Sequence, residues 1–344
     1  MANNAVGSCE QSTIQRPCSL RDRAPDTMSE FLTVLGAVLP VFCIMGAGFL
    51  LRRLDWLTEQ ADHSLMRVTI NGLIPCLIID SVIKNTALRQ PGNVLLAPAV
   101  GFGTVFLGIG LAWLCRTLVG LREPVAGRTF AYCTGIYNYC YVPLPLAILL
   151  FQQRPETVGV LFVHNVGVEI SFWTFGLMFL SGVSLKEGWK KAINAPVISI
   201  IVGLALNYTH GAHWMPGFVL TAAHMLGQCA FPMGILLIGA VISDELRAFH
   251  SASGWRVMTG ACLLRLGVLP ILFLLLAKHL PCSAELKTVI VLQAAMPAAV
   301  FPIVISKHYG GDTNTALRVV LSTSVVGLIT IPLWIRFGMH FVGL

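Results

Sequence analysis

The chain has 344 residues, of which 56% are hydrophobic and only 11% charged, with a net charge of +7. A water-soluble domain carries about a quarter charged residues, so this composition excludes one and marks an integral membrane protein. The positive surplus follows membrane topology rather than a binding patch, which gives no reason to expect a nucleic-acid partner.

Residues 1–27 are polar and contain no apolar core of signal-peptide type, so they read as a disordered or untranslated tail ahead of Met28. Ten apolar segments follow, at 31–51, 66–83, 94–115, 129–151, 157–181, 193–209, 218–242, 256–278, 286–306 and 315–338. A membrane helix needs about 20 such residues, and the lengths together with the lack of alternating patterns favour helices over a barrel. The fold class expected is an all-α protein of ten transmembrane helices embedded in the lipid bilayer.

Loops between spans 1–2, 3–4, 5–6, 7–8 and 9–10, with the adjoining span ends, hold thirteen Lys and Arg. They include Arg52, Arg53, Arg122, Arg128, Lys186, Lys190 and Lys191, against six on the other side (Lys84, Arg89, Arg154, Lys278, Lys287, Arg336). The basic side is normally cytoplasmic, which predicts a multi-pass cytoplasmic (inner or plasma) membrane protein with both termini outside. The ten cysteines, Cys43, Cys76, Cys133 and Cys229 among them, are scattered and read as packing residues, with no metal-ligand spacing. Asn207-Tyr208-Thr209 matches a glycosylation triplet at the end of span 6.

Prolines repeat across the chain. Pro75 and Pro145 recur 157 residues later as Pro232 and Pro302, and Pro40 nearly so as Pro196. The same offset maps span 5 onto span 10, which divides the chain into a five-span repeat over 28–182, a short cytoplasmic linker over 183–192 and a second repeat over 193–344. Five spans is an odd number, so the second copy is expected to run inverted, the plan of many secondary transporters.

Spans 4 and 9 are the interrupted pair. In Val142-Pro143-Leu144-Pro145 the residues before proline are expected to leave the helix, and Pro297 and Pro302 bracket a break in span 9. Lipid cannot satisfy freed backbone groups, so such breaks must face protein or a wet cavity. If the breaks cross, two half-helix N-termini converge on a point suited to an anion.

Polar groups gather at the same depth: Tyr137, Asn138, Tyr139 and Tyr141 in span 4, Gln293 in span 9, His164, Asn165 and Glu169 in span 5, and Arg265 in span 8. A charge at a helix centre costs roughly 2.5–3.5 kcal/mol on insertion scales. Glu169 and Arg265 therefore either fasten spans 5 and 8 as an ion pair or handle substrate and protons. His164 reads equally as a packed histidine or a proton relay. Asn71, Asp80 and His224 fit packing or capping.

Several stretches resemble the auxin efflux carrier family, which includes the plant PIN-FORMED carriers and bacterial organic-acid permeases. They are VLPVFCIMGAGFLLRR, LIPCLIIDSVI, NAPVISIIVGLALN, AFPMGILLIGAVI and MPAAVFPIVISKHYGGD, in the family's order along Met28–Leu344. The resemblance implies fold kinship with bile acid:sodium symporters: a dimerising scaffold of spans 1, 2, 6 and 7, giving a homodimer, and a mobile domain of spans 3–5 and 8–10. It also implies that Asn138, Pro143 and Pro145 on span 4, and Gln293, Pro297 and Pro302 on span 9, flank a substrate carboxylate, with Asn165 beside them. The chain departs from the plant carriers in having Glu169 where they carry an amide, and VPLP in place of a single proline. A carboxylate beside an anion site repels its ligand unless it is protonated or neutralised, which brings proton coupling into view.

The function expected is secondary transport of a small organic anion by alternating access. Asn138 and Gln293 would hold the carboxylate, with Tyr137 and Tyr141 nearby, and Glu169, His164 and Arg265 would couple charge. An alternative is sodium-coupled anion symport, for which Gln293 and Glu169 are suitable oxygen ligands. A receptor or sensor without transport is the alternative of another class. The chain has no paired catalytic acids, HExxH cluster or nucleotide-binding loop, so neither an enzyme, a cofactor, a resident metal nor an ATP-driven pump is expected.

Overall fold

The computed structural model describes residues 27–151, 154–182, 186, 189–190, 193–213, 215–248 and 254–344. The expectations for the tail before Thr27 and for most of the 183–192 linker fall outside the described residues. Among the described residues all regular structure is helical. The first half contains α1 (Thr27–Arg53), α2 (Glu59–Ile83), α3 (Pro91–Cys115), α4 (Pro124–Gly135), α5 (Pro143–Leu150) and α6 (Glu156–Ser181). The second contains α7 (Ala195–Tyr208), α8 (Gly217–Ala248), α9 (Trp255–His279), α10 (Ala284–Ala294), α11 (Phe301–His308) and α12 (Thr313–Val342). Among the described residues six helices, α2, α3, α6, α8, α9 and α12, are long and apolar enough to cross a membrane.

Local chemistry fixes the helix starts. Thr58, Asn194 and Ser283 each accept a hydrogen bond from a first-turn amide of α2, α7 and α10, satisfying donors that a helix end otherwise leaves open. Prolines at the first or second position open α3, α4, α5, α7 and α11, where the missing N–H costs nothing.

Inside long helices proline has a different effect. Pro75 and Pro270 each follow a wide turn, Thr69–Leu73 and Leu264–Val268, in which the chain bonds five residues back. The widening relieves the clash of the ring with the preceding turn. Pro270 cannot donate to Leu266 O, and the indole Nε1 of Trp334 on α12 donates to it instead at 2.6 Å. A third wide turn, Phe172–Gly176 in α6, follows Glu169 by three residues.

Span 4 does not break at its prolines. Val142 has helical torsions (φ −96°, ψ −46°), and the interruption is the preceding stretch from Ile136 to Val142. Pro143 and Pro145 belong to the first turn of α5, where ring and helix geometry agree. The restriction on residues before proline, read from the sequence as the cause of the break, is overridden there. In span 9 the gap between Ala294 and Phe301 contains Pro297, while Pro302 lies in the first turn of α11.

Helix starts recur along the chain. From α5 to α11 the step is 158 (301 − 143), and from α6 to α12 it is 157 (313 − 156). Two packing groups are present. In one, α1 lies against α8, and α2 against α7 and α8; in the other, α3 packs on α4 and α6, and α12 on α9, α10 and α4. Close helix approach uses glycine in both. A methyl at Gly239 would fall 1.9 Å from Met45 O of α1, and one at Gly167 would fall 1.7 Å from Pro98 O of α3. Small residues at such contacts let membrane helices pack by van der Waals contact. Helix α6 is the most enclosed of the six spans, 72% buried over its apolar window against 28–50% for the others.

Candidate transport site

The two interruptions meet. Ala299 N–H donates to Ile136 O at 2.9 Å and Asn138 N–H donates to Pro297 O at 2.8 Å, forming an antiparallel bridge between Tyr137 and Ala298. Ala298 N–H donates to Thr323 Oγ1 of α12 at 3.2 Å. Each break thus satisfies the other's backbone, which an apolar surrounding requires.

The carboxyl end of α10 is closed by Arg265, which is fully buried. Its Nε donates to Met296 O at 3.0 Å and one terminal nitrogen lies 3.4 Å from both Gln293 O and Ala294 O. The guanidinium also lies over the Tyr137 and Phe273 rings, 5.1 and 5.2 Å from their centroids. Arg265 sits in the wide turn of α9. Among the described residues no salt bridge joins Arg265 to Glu169; the expected pair between spans 5 and 8 is not formed, because the carbonyls of α10 take the guanidinium.

On the other side of the bridge an amide cluster holds the interrupted strand. Asn165 Nδ2 donates to Tyr139 O at 2.8 Å, and Gln293 Nε2 donates to both Tyr139 O and Asn165 Oδ1 at 3.1 Å. Glu169 follows Asn165 by one helical turn. Its Oε1 accepts from Tyr139 OH at 2.7 Å, and its Oε2 accepts from Trp173 Nε1 at 2.8 Å and from Asn194 Nδ2 at 3.4 Å. Tyr139, Asn165, Glu169, Trp173 and Asn194 open onto a cavity of about 200 Å³. Its other walls are apolar side chains of α2 and α7, with Tyr141, Phe162 and Phe301. The cavity lies between the two packing groups. Among the described residues, Glu169 is the one charged side chain on its wall.

The remaining residues singled out in the sequence sit behind this wall. Asn138 is buried and its Oδ1 accepts from Val142 N–H at 3.3 Å, capping the turn into α5. Gln293 is buried, and its Nε2 is spent on the amide cluster. Tyr137 is buried with its hydroxyl 2.8 Å from Thr104 Oγ1. His164 is buried with Nδ1 3.4 Å from Asn165 Oδ1. Pro143, Pro145, Pro297 and Pro302 shape the two interruptions and are buried. The first turn of α5 is not the ring of open amides expected: Pro143 and Pro145 have no N–H, and Leu144 N–H bonds Cys140 O at 3.1 Å.

Trp173, Asn194 and Thr323 were not legible as site residues. Trp173 and Asn194 reach Glu169 from a wide turn and from a helix cap, neither of which a sequence spacing shows. Asn207, the glycosylation candidate, is buried, with its Nδ2 donating to Val82 O at 2.8 Å and Asn85 O at 2.9 Å. The nitrogen a glycan would need is already tying α7 to the end of α2.

Residues 33–187 and 180–335 match the family described as membrane transport protein. The chain belongs to this family. The resemblance to auxin efflux carriers therefore holds, and this chain is a multi-pass membrane transport protein. It is 25% identical over 312 residues to an uncharacterised transporter of Methanothermobacter thermautotrophicus, spanning 88% of this chain and 98% of that one. It is 22% identical over 318 residues to the uncharacterised transporter YfdV of Escherichia coli, spanning 88% and 96%. Protein ECM3 of Saccharomyces cerevisiae is 27% identical over 157 residues, covering 44% of this chain and 25% of its own length.

Proposed function

We propose that this transporter carries a small organic anion across the cytoplasmic membrane, binding it in the cavity beside the meeting point of the two interrupted spans. The observation that supports this most is the juxtaposition of the Tyr137–Ala298 bridge with Asn165, Glu169 and Tyr139 at the cavity wall. Donors available to a carboxylate there are the amides of the 139–141 turn, the Asn165 and Asn194 side chains, and the start of α11, whose dipole points its positive end at the opening. Asn138 and Gln293 act by holding the Tyr139 turn, and reach the ligand only if they release it.

Among the described residues the single charge on the cavity wall is a carboxylate, so an anion binds there together with a proton on Glu169. Coupling to protons therefore fits better than exit driven by membrane potential alone. Movement follows the inverted-repeat plan: the group of α3–α6 and α9–α12 slides as a body against α1, α2, α7 and α8, which form the homodimer contact, with both termini outside. Exchange of radiolabelled organic acids by the purified protein in proteoliposomes tests the reading. Accelerated exchange of at least one small carboxylate supports it, while exchange confined to amines or neutral solutes refutes the anion assignment.

A further inference from the structure

Helices α4 and α10 both run into the crossing with their carboxyl ends, Gly135 and Ala294, and stop there. A helix end of this kind carries roughly half a negative charge, from carbonyls that have lost their intrahelical donors. Two such ends at one depth, out of reach of water, are unfavourable unless a positive charge lies between them. Arg265 meets one of these ends directly. It donates to three carbonyls at the end of α10, and its guanidinium lies 5.1 Å from the ring of Tyr137, two residues past the end of α4. Its positive charge offsets the half charge at the end of α10.

The first half has no equivalent. The residue 157 positions before Arg265 is Gly108, and a methyl there would fall 2.8 Å from Gly135 O. Helix α3 passes so close to the end of α4 that no side chain fits. The cation at the crossing is therefore present in the second half alone at this pair of positions. The carbonyl set it holds, Gln293, Ala294 and Met296, is of the kind that coordinates a hard cation in other proteins.

We propose that Arg265 is a built-in cation that fills, with its guanidinium, the place a sodium ion would take at the crossing, so that this transporter needs no sodium. A sodium ion held by those three carbonyls is thereby set aside for this chain. The inference rests on the transport reading only for its consequence, the choice of coupling ion. Its test uses no substrate, so its failure leaves the anion assignment standing.

The experiment is thermal unfolding of the purified full chain in sodium chloride and in choline chloride at equal concentration. Wild type is expected to show the same Tm in both. Arg265→Gln, which exposes the carbonyls, is expected to unfold lower in choline and to regain part of the loss in sodium. Arg265→Lys keeps the charge and is expected to be indifferent to the salt. If Arg265→Gln does not fold in choline, preparation in sodium is expected to recover it. A wild type stabilised by sodium over choline overturns the proposal, as does an Arg265→Gln protein that sodium neither stabilises nor recovers.

Discussion

At the scale of single residues, Glu169 and Arg265 show how one type of cost is met in two ways. Arg265 is fully enclosed, and its Nε and one terminal nitrogen donate to backbone carbonyls. Glu169 is half-buried, faces a cavity, and accepts from three side chains, none of them a cation. A carboxylate so placed can take a proton from the cavity without unmaking a salt bridge. Exchange of an organic acid is therefore expected to quicken as the pH falls on the side the cavity faces. Glu169→Gln preserves shape and keeps an acceptor for Tyr139, so exchange should persist with a flat pH profile. An unchanged wild-type profile in that variant removes Glu169 from coupling. The sequence identified both charges because intramembrane ionisable residues are few. It suggested that they pair because complementarity is all a sequence displays, whereas the carbonyls that claim Arg265 exist only once α10 has ended.

At the scale of elements, proline and glycine carry most of the information. Buried prolines in spans 4 and 9 pointed to the interruptions, but the break in span 4 precedes its prolines, since Pro143 and Pro145 are at home in a first helical turn. The wide turns ahead of Pro75 and Pro270 were not legible, because a long helix absorbs a proline by several routes. Glycine spacing likewise hid the reciprocal contacts of α1 with α8 and of α3 with α6. Gly239 is the sharpest case. A leucine there drives into Met45 O and the Phe49 amide, 1.9 and 2.9 Å from the position of its first carbon. Backbone atoms cannot step aside as a side chain can, so Gly239→Leu is expected to cost about 1–3 kcal/mol or more, read as a lowered Tm of the purified protein. A Tm within error of wild type would mean that α1 and α8 do not cross as described.

At the scale of the whole molecule, the apolar helical character and the family were present in the sequence, because hydrocarbon thickness and backbone satisfaction dictate the first. The cavity was not, since its walls come from α2, α6, α7, the start of α11 and two loop segments that share no spacing. Its position between the two packing groups fits the proposed carrier: one group bears the crossing, the other the opposing apolar wall. Cys140 lies on that cavity wall next to Tyr139 and Tyr141, so it reports directly on occupancy. The decisive measurement is the rate of maleimide modification of Cys140, in protein whose other cysteines are replaced, with and without a carboxylate that the protein exchanges. The expected result is protection that saturates at the concentration that half-saturates exchange, with no protection by carboxylates that are not exchanged. Modification at the same rate with and without the exchanged acid would contradict binding at the crossing of the two interrupted spans.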